Sequence, residues 1–160
     1  MIFLTLGTQK FNFIRLLKAV ERAINKGVIK DKVIAQIGNN AFQSDKMECM
    51  TFIDKKSFNQ YMNDARFIIS HAGTGSIVSA LKNNKKIIVA ARLAKYNEHI
   101  DNHQLEILNL FARKNLIIPL NLELEDLEEK ISNIHTYNLN EFKSNAINFN
   151  TSLTHLIKGI

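Results

Sequence analysis

The chain has 160 residues, of which 46% are apolar types and 22% are charged. A domain of this length buries about 70% of the surface its unfolded chain exposes, so a core is expected without disulfide or metal staples. The composition excludes a disordered tail, a collagen-like fibre and a coiled coil. Cys49 is the one cysteine; it excludes an intramolecular disulfide framework and reads as an inert, buried or half-buried thiol in a reducing compartment. The first residues lack a basic n-region and a long apolar stretch, so no secretory leader is expected. No apolar run approaches the roughly 18 residues of a membrane span, and a cytoplasmic location is expected. With 21 Lys and Arg against 15 Asp and Glu the net charge is +6. That balance suits an anionic partner surface, although a chain rich in Lys, Asn and Ile acquires it from composition alone.

In chain order, Ile2–Leu6 is an apolar run stopped by Gly7 and reads as a strand. Phe13, Leu16, Leu17, Val20 and Ile24 then recur at helical spacing, ending near Gly27. Val33–Ile37 is a second strand, Met50–Ile53 a short third, and residues 56–63 a helix. Phe67–Ile69 leads into Ser70-His71-Ala72-Gly73-Thr74-Gly75, followed by a helix over Ser76–Lys82 and a strand at Ile87–Ala90. Ile100–Phe111 reads as a helix and Leu116–Ile118 as the final strand. Leu124, Leu127, Ile131 and Ile134 give one more helical stripe, and Phe142, Ala146, Phe149, Leu153 and Leu156 a last amphipathic helix. Short apolar strands alternating with helices predict an α/β, Rossmann-like fold: a mostly parallel sheet with helices on both faces. Such sheets bind ligands at the carboxyl ends of their strands, near a topological switch point, so the loops after the strands are where chemistry is sought.

Two of those loops stand out. Gly73 and Gly75 allow close approach of backbone to a ligand, Thr74 and Ser76 offer hydroxyls and a cap, and the helix start favours an anion such as phosphate. Neither a P-loop nor a complete GxGxxG is present. After the next strand, the run from Arg92 to Gln104 gathers Asn97, Glu98, His99, Asp101, Asn102, His103 and Gln104. Carboxylates and amides of this kind grip sugar hydroxyls, although Asp101 and Asn102 also suit simple capping of the next helix. His99 and His103 are four apart, a spacing that lets two imidazoles share a divalent ion on a helix. With no HExxH, second His pair or cysteine cluster, no metal is expected. Asn150-Thr151-Ser152 matches a glycosylation sequon, which carries no meaning in a cytosolic chain.

Together, Ser70-His-Ala-Gly-Thr-Gly-Ser-Ile77 and Asn97-Glu-His-x-Asp-Asn-His-Gln104 resemble the C-terminal half of family 28 glycosyltransferases. More narrowly, the chain is similar to small single-domain members that work in two-subunit enzymes. These are the Alg13-like UDP-N-acetylglucosamine transferase subunits and related bacterial capsule and exopolysaccharide subunits. The resemblance covers about residues 1–132 and implies the donor-binding half of a GT-B fold. Residues 1–160 would form one nucleotide-sugar-binding domain, with 139–160 a C-terminal helix able to dock on a partner.

By the same resemblance Gly7, Thr8 and Gln9 lie against the diphosphate, and Phe52 and Ile53 belong to a short strand whose backbone meets the uracil edge. Gly73, Thr74, Gly75 and Ser76 hold the phosphates, and His103 and Gln104, with Asp101 just before them, reach the donor sugar. His71, Glu98 and Asn102 complete the nucleotide-sugar set. Ser79 stands where the family often carries a ribose-gripping Glu, and Lys85-Lys86 replaces the usual Gly-Lys-Pro turn. The general base is unassigned, with His71, His99 and a group on the partner as candidates. The resemblance implies a UDP-sugar donor, a polyprenyl-linked sugar acceptor and a membrane-anchored, acceptor-binding partner of the Alg14-like kind that recruits the chain to the inner face of the membrane. It implies no cofactor and an inverting hexosyltransferase in surface-polysaccharide synthesis. The alternative is a non-catalytic, nucleotide-sugar-binding regulatory subunit. No recognition helix or aromatic-basic interleaving points to nucleic acid.

Overall fold

The structure is a computed structural model that describes residues 1–143. Among them, six parallel strands form one sheet in the order β3-β2-β1-β4-β5-β6. The strands are β1 (Ile2–Thr5), β2 (Val33–Gln36), β3 (Glu48–Met50), β4 (Ile68–His71), β5 (Ile87–Ala90) and β6 (Ile118–Pro119). The helices are α1 (Ile14–Asn25), α2 (Lys55–Asp64), α3 (Thr74–Lys82), α4 (His103–Arg113) and α5 (Leu127–Ser132), with 3-10 turns at Ala94–Tyr96 and Ile134–Thr136. The chain builds β1, β2 and β3 outward in one direction and then returns to place β4 on the other side of β1. The switch point therefore lies between β1 and β4.

Period-two alternation divides the strand residues between two cores. Ile2, Leu4, Val33, Ala35, Ile69 and Ile88 face one side, where Leu16, Leu17 and Val20 of α1 and Leu127 and Ile131 of α5 cover them. Phe3, Ile34, Ile68, Ile87 and Val89 face the other, beneath Met62 of α2, Ile77 and Leu81 of α3, and Ile107, Leu108 and Phe111 of α4. Because both faces are covered, the strands read as continuous apolar runs. On the second face the pattern changes at the carboxyl edge. Thr5, Gln36 and Ser70, all buried, follow Phe3, Ile34 and Ile68 on the same side of their strands. A polar row thus ends an apolar layer where the loops begin.

The expected fold class holds, and several boundaries move. β3 ends at Met50, so Phe52 and Ile53 lie in the connection to α2, whose start is fixed by Asp54 accepting from the backbone N–H groups of Lys56 and Ser57. β6 begins at Ile118 and takes in Pro119, which an edge strand tolerates because its missing N–H faces away from the ladder. α4 starts at His103 rather than Ile100, whose side chain is 77% exposed. His99 is therefore in a loop and the two histidines do not share a helical face. In the Lys85-Lys86 turn, Asn84 takes a positive φ of 53°. Lys85 Nζ donates to the carbonyls of Asn63 and Ala65, and Lys86 Nζ to that of Ile134. The C-terminal amphipathic helix falls mostly on residues 144–160, outside the described residues.

Phe3 links the sheet to α2, with its ring edge-on to Phe58 at 5.4 Å and 5.7 Å from Tyr61. Phe3→Ala leaves a cavity where no side chain can collapse without moving α2, and the expected loss is about 3–5 kcal/mol in denaturant unfolding.

Candidate functional site

The carboxyl ends of β1 and β4 carry the loops that open the site. α3 begins without a side-chain cap: Gly73 is its N-cap residue, in extended backbone, and makes no capping bond. The helix's first turn therefore presents unsatisfied N–H groups, together with the positive end of its dipole, to whatever lies before it. What lies before it is a cavity of about 350 Å³ lined by Gly7, Thr8, Gln9, His71, Ala72, Gly73, Thr74, Gly75, Ser76, His99, His103, Gln104 and Ile107. A second cavity of about 380 Å³ adjoins it, lined by Gly7, Thr8, Gln36, Ile53, Lys55, Phe58, Gly75 and Ser76. The two meet along Gly7, Thr8, Gly75 and Ser76.

His71 is the wedge between the two loops. Its Nδ1 lies 3.3 Å from the Thr5 carbonyl, and that carbonyl can only accept, so the ring carries its proton on Nδ1. A Cβ placed on Gly7 would stand 2.8 Å from the ring's Cε1, and one on Gly73 only 2.1 Å from its Nε2. The two glycines are thus required by the histidine as much as by any ligand. Gly7 also has φ +71°, a left-handed value that side chains resist. Gly75 differs: nothing lies within 4 Å of a Cβ built there, so its open side faces the cavity. Burial, reinforced by the nearby Arg92 cation, pushes the His71 imidazole down to about 3. A group so weakly basic stays neutral and serves as a hydrogen-bonding wall rather than a proton acceptor.

The 92–104 segment divides into scaffold and lining. Glu98 is buried and its carboxylate is fully engaged: Oε1 and Oε2 take the Arg15 guanidinium at 2.9 and 3.0 Å, and Oε2 also accepts from the Leu93 N–H. Asn102 accepts from the Ala94 N–H at 3.1 Å. Asp101 accepts from the His103 N–H at 2.9 Å and stands 2.8 Å from His99 Nδ1. The His103 N–H, with His99 beside it, holds the Asp101 carboxyl below its ordinary value. These three side chains, expected to grip a ligand, fold the loop instead and line neither cavity. His99, held by Asp101 and packed on the Phe11 ring at 4.5 Å, does line it, as do His103 and Gln104. Gln104 Oε1 accepts from the Arg92 N–H at 3.1 Å, which turns its amide nitrogen to the cavity.

Of the expected base contacts, Ile53 lines the second cavity, whereas the Phe52 side chain is 52% exposed and lines neither. Ser79 also lines neither. Among the described residues no group of three or more His, Cys, Asp or Glu side chains is placed to hold a metal ion. Sequence reasoning missed Arg92, which is fully buried. Its Nη2 donates to the carbonyls of Leu6 (2.9 Å) and Phe11 (3.2 Å), clasping both ends of the Gly7–Lys10 loop. Its Nε and Nη1 have no partner among the described residues. Burial lowers the guanidinium to about 10, with Glu98 opposing. Nothing in the local pattern distinguishes an arginine after a strand from a surface one. Gln36 and Lys55 were missed for the same reason.

The neutral imidazole has a consequence for stability. The unfolded chain takes up a proton on His71 near 6.5, the folded chain only near 3. The stability this group contributes is full above the first value and declines as pH falls towards the second, by about 2 kcal/mol between pH 7 and pH 5. Denaturant titrations at the two pH values should show this difference between wild type and His71→Gln. The His71 ring signals should stay unprotonated across that range by NMR.

Comparison with known proteins agrees with this architecture. The family model described as "Glycosyltransferase family 28 C-terminal domain" matches residues 1–160. Among curated proteins, the "UDP-N-acetylglucosamine transferase subunit ALG13" of Candida albicans is 35% identical over 96 residues, 60% of this chain and 31% of that protein. Its namesake from Yarrowia lipolytica is 40% identical over 58 residues, covering 36% and 28%. The chain thus spans about a third of the length of such relatives. Among solved structures, the NMR structure of ALG13 aligns with TM-score 0.61 at 20% identity, over 95% of this chain and 94% of that one. The glycotransferase of kitacinnamycin aligns with TM-score 0.60 at 14% identity, over 81% and 33%. At those identities the structural likeness speaks for the fold, a GT-B glycosyltransferase half, while the family model spans the sequence from end to end: the chain belongs to the glycosyltransferase family 28 C-terminal domain family.

Proposed function

We propose that this chain is the donor-binding, catalytic subunit of a two-component glycosyltransferase. It transfers a hexose or N-acetylhexosamine from a UDP-sugar to a polyprenyl-linked acceptor held by a membrane-anchored partner, in the assembly of a surface polysaccharide. The observation that carries this reading is the uncapped start of α3, which faces a cavity closed on the far side by the Gly7–Gln9 loop. Backbone N–H groups and a helix dipole there favour a diphosphate. The names of the curated relatives favour an N-acetylhexosamine. No described helix is long and apolar enough to cross a membrane.

The reaction this site suits is a single displacement. The acceptor hydroxyl oxygen forms a bond to the anomeric carbon as the bond to the diphosphate oxygen breaks, with inversion. The leaving diphosphate keeps the electron pair, and its charge is met by the first turn of α3. The acceptor proton needs a base. His99 fits better than His71, because its Nδ1 is held 2.8 Å from the Asp101 carboxylate and its Nε2 is left to accept. The His71 imidazole, pushed down to about 3, lacks the basicity. Gln104, through its amide nitrogen, and His103 are placed to hold the sugar.

Calorimetry should show UDP binding to the isolated chain, unchanged by a chelator; binding that vanishes with chelator would sink the metal-independent site. Gly75→Val fills the open side of the first turn and should abolish that binding without lowering the melting temperature by more than a few degrees, since no described atom outside its own helical turn lies within 4 Å of a Cβ built there.

His99→Ala and Gln104→Glu should lower transfer by the assembled enzyme while leaving UDP affinity within about threefold. Gln104→Glu keeps an acceptor for the Arg92 N–H and replaces the donor by a charged acceptor on the sugar side of the cavity. A missing contact of this kind costs about 1–3 kcal/mol, or roughly tenfold to a hundredfold in rate. Loss of UDP affinity in step with activity would place these residues on the nucleotide. Retention of full activity in His99→Ala would move the base from His99 to a group on the partner.

A further inference from the structure

We propose that Gln36 is a specificity-determining residue that reads the nucleobase, donating from its amide nitrogen to a carbonyl of a uracil-type ring. This inference rests on the reading of the chain as a UDP-sugar-binding subunit and assigns the second cavity to the base. Thr5 and Gln36 are register neighbours on β1 and β2 and end their strands on the same face. Thr5 is fully buried and Gln36 is 3% exposed. The Thr5 hydroxyl accepts from the Gly7 N–H at 3.3 Å and donates to Gln36 Oε1 at 2.8 Å. With its carbonyl fixed in this way, the Gln36 amide nitrogen has no acceptor among the described residues, while the residue lines the second cavity. A buried amide that keeps a donor facing an open cavity is built to meet an acceptor there.

The rest of the cavity says what kind. Ile53 and Phe58 offer apolar walls suited to the faces of a planar ring, Lys55 adds a cation, and no carboxylate among the described residues lines the space. A ring presenting a carbonyl oxygen fits those groups, and one presenting an amine at the same position opposes the amide N–H. The two cavities meet at Gly7, Thr8, Gly75 and Ser76, so a diphosphate at the start of α3 has one cavity on each side. With His99, His103 and Gln104 lining the first, the sugar takes that side and the base takes the side of Gln36. Thr5 joins the two functions, because the hydroxyl that orients Gln36 also accepts from Gly7 at the turn of the diphosphate loop.

The experiment compares UDP with CDP by calorimetry on the full chain, for wild type, Gln36→Glu and Gln36→Met, with folding of each variant checked by thermal unfolding. UDP and CDP differ at one ring position, a carbonyl against an amine, and share the diphosphate. Wild type should prefer UDP by at least tenfold. Gln36→Glu keeps one oxygen for Thr5 and turns an acceptor to the cavity, so the preference should level or reverse. If that variant does not fold, Gln36→Met supplies the readout: UDP should weaken by at least tenfold with CDP little changed. Equal affinity for UDP and CDP in wild type, or a preference unchanged in the folded variants, overturns the role of Gln36 and leaves the donor site standing. Failure of wild type to bind either nucleotide overturns the donor reading itself, and this inference with it.

Discussion

A neutral imidazole packed between two glycines sets the spacing of the whole carboxyl edge. His71 ends β4, leans across to the Thr5 carbonyl of β1, and fills the space that side chains at Gly7 and Gly73 would need. Because the contact joins the last residues of the two central strands, it fixes the loops after them relative to each other. Gly38, with φ +60°, packs the β2 loop against the Gly7 carbonyl, where a Cβ would come within 2.7 Å. Close packing of backbone against a rigid ring leaves no slack, so the start of α3 and the Gly7–Gln9 turn face each other across a fixed gap. A diphosphate-sized anion needs such a gap to be preformed, since ordering the loops on binding would consume affinity.

Charge is arranged around this wedge at some cost. Arg92 is buried beside His71 with Nε and Nη1 unpaired among the described residues, a state that proteins rarely tolerate. What the guanidinium secures is the clasp on the Leu6 and Phe11 carbonyls, and with it both ends of the Gly7–Lys10 loop. Glu98 lies close enough to favour the cation and is itself paired in bidentate fashion with Arg15 of α1. Arg15 in turn lies 4.4 Å from the Tyr96 ring, and the Tyr96 hydroxyl bonds Glu123. A chain of polar contacts therefore runs from the surface to the buried arginine. It carries the 93–102 loop on one side of the site and the 6–13 loop on the other, and its Arg15–Glu98 pair joins residues 83 positions apart in the chain.

The sheet, its parallel sense and the two loops at its carboxyl edge that open on a cavity were legible in the sequence because each rests on local signals. Apolar runs of four residues, helical stripes and a glycine-rich strand-to-helix turn are properties of neighbouring residues, and the physics that reads them acts over a few positions. The same is true of the glycines and hydroxyls at the start of α3, which depend only on the strand before and the helix after. Boundaries were less legible. β3 and the start of α4 shifted because Asp54 caps α2 and Asp101 takes the His103 N–H just before α4, a competition that side-chain type alone leaves undecided.

The roles of the polar residues were decided only by the tertiary structure. Glu98, Asp101 and Asn102 have the chemistry of sugar ligands, yet they meet backbone N–H groups and an arginine before any ligand arrives, because an unpaired buried N–H is more expensive than an unliganded cavity. Gln36 and Arg92 carry no signature at all: one ends an apolar strand and the other follows one. Their significance comes from the parallel register that sets Thr5 beside Gln36, and from the crossover that returns β4 to the far side of β1. By itself the sequence determined which segments are strands, which turn can face an anion, and which family the chain resembles. The fold decided which of its polar atoms remain free to bind, since that depends on partners distant in the chain.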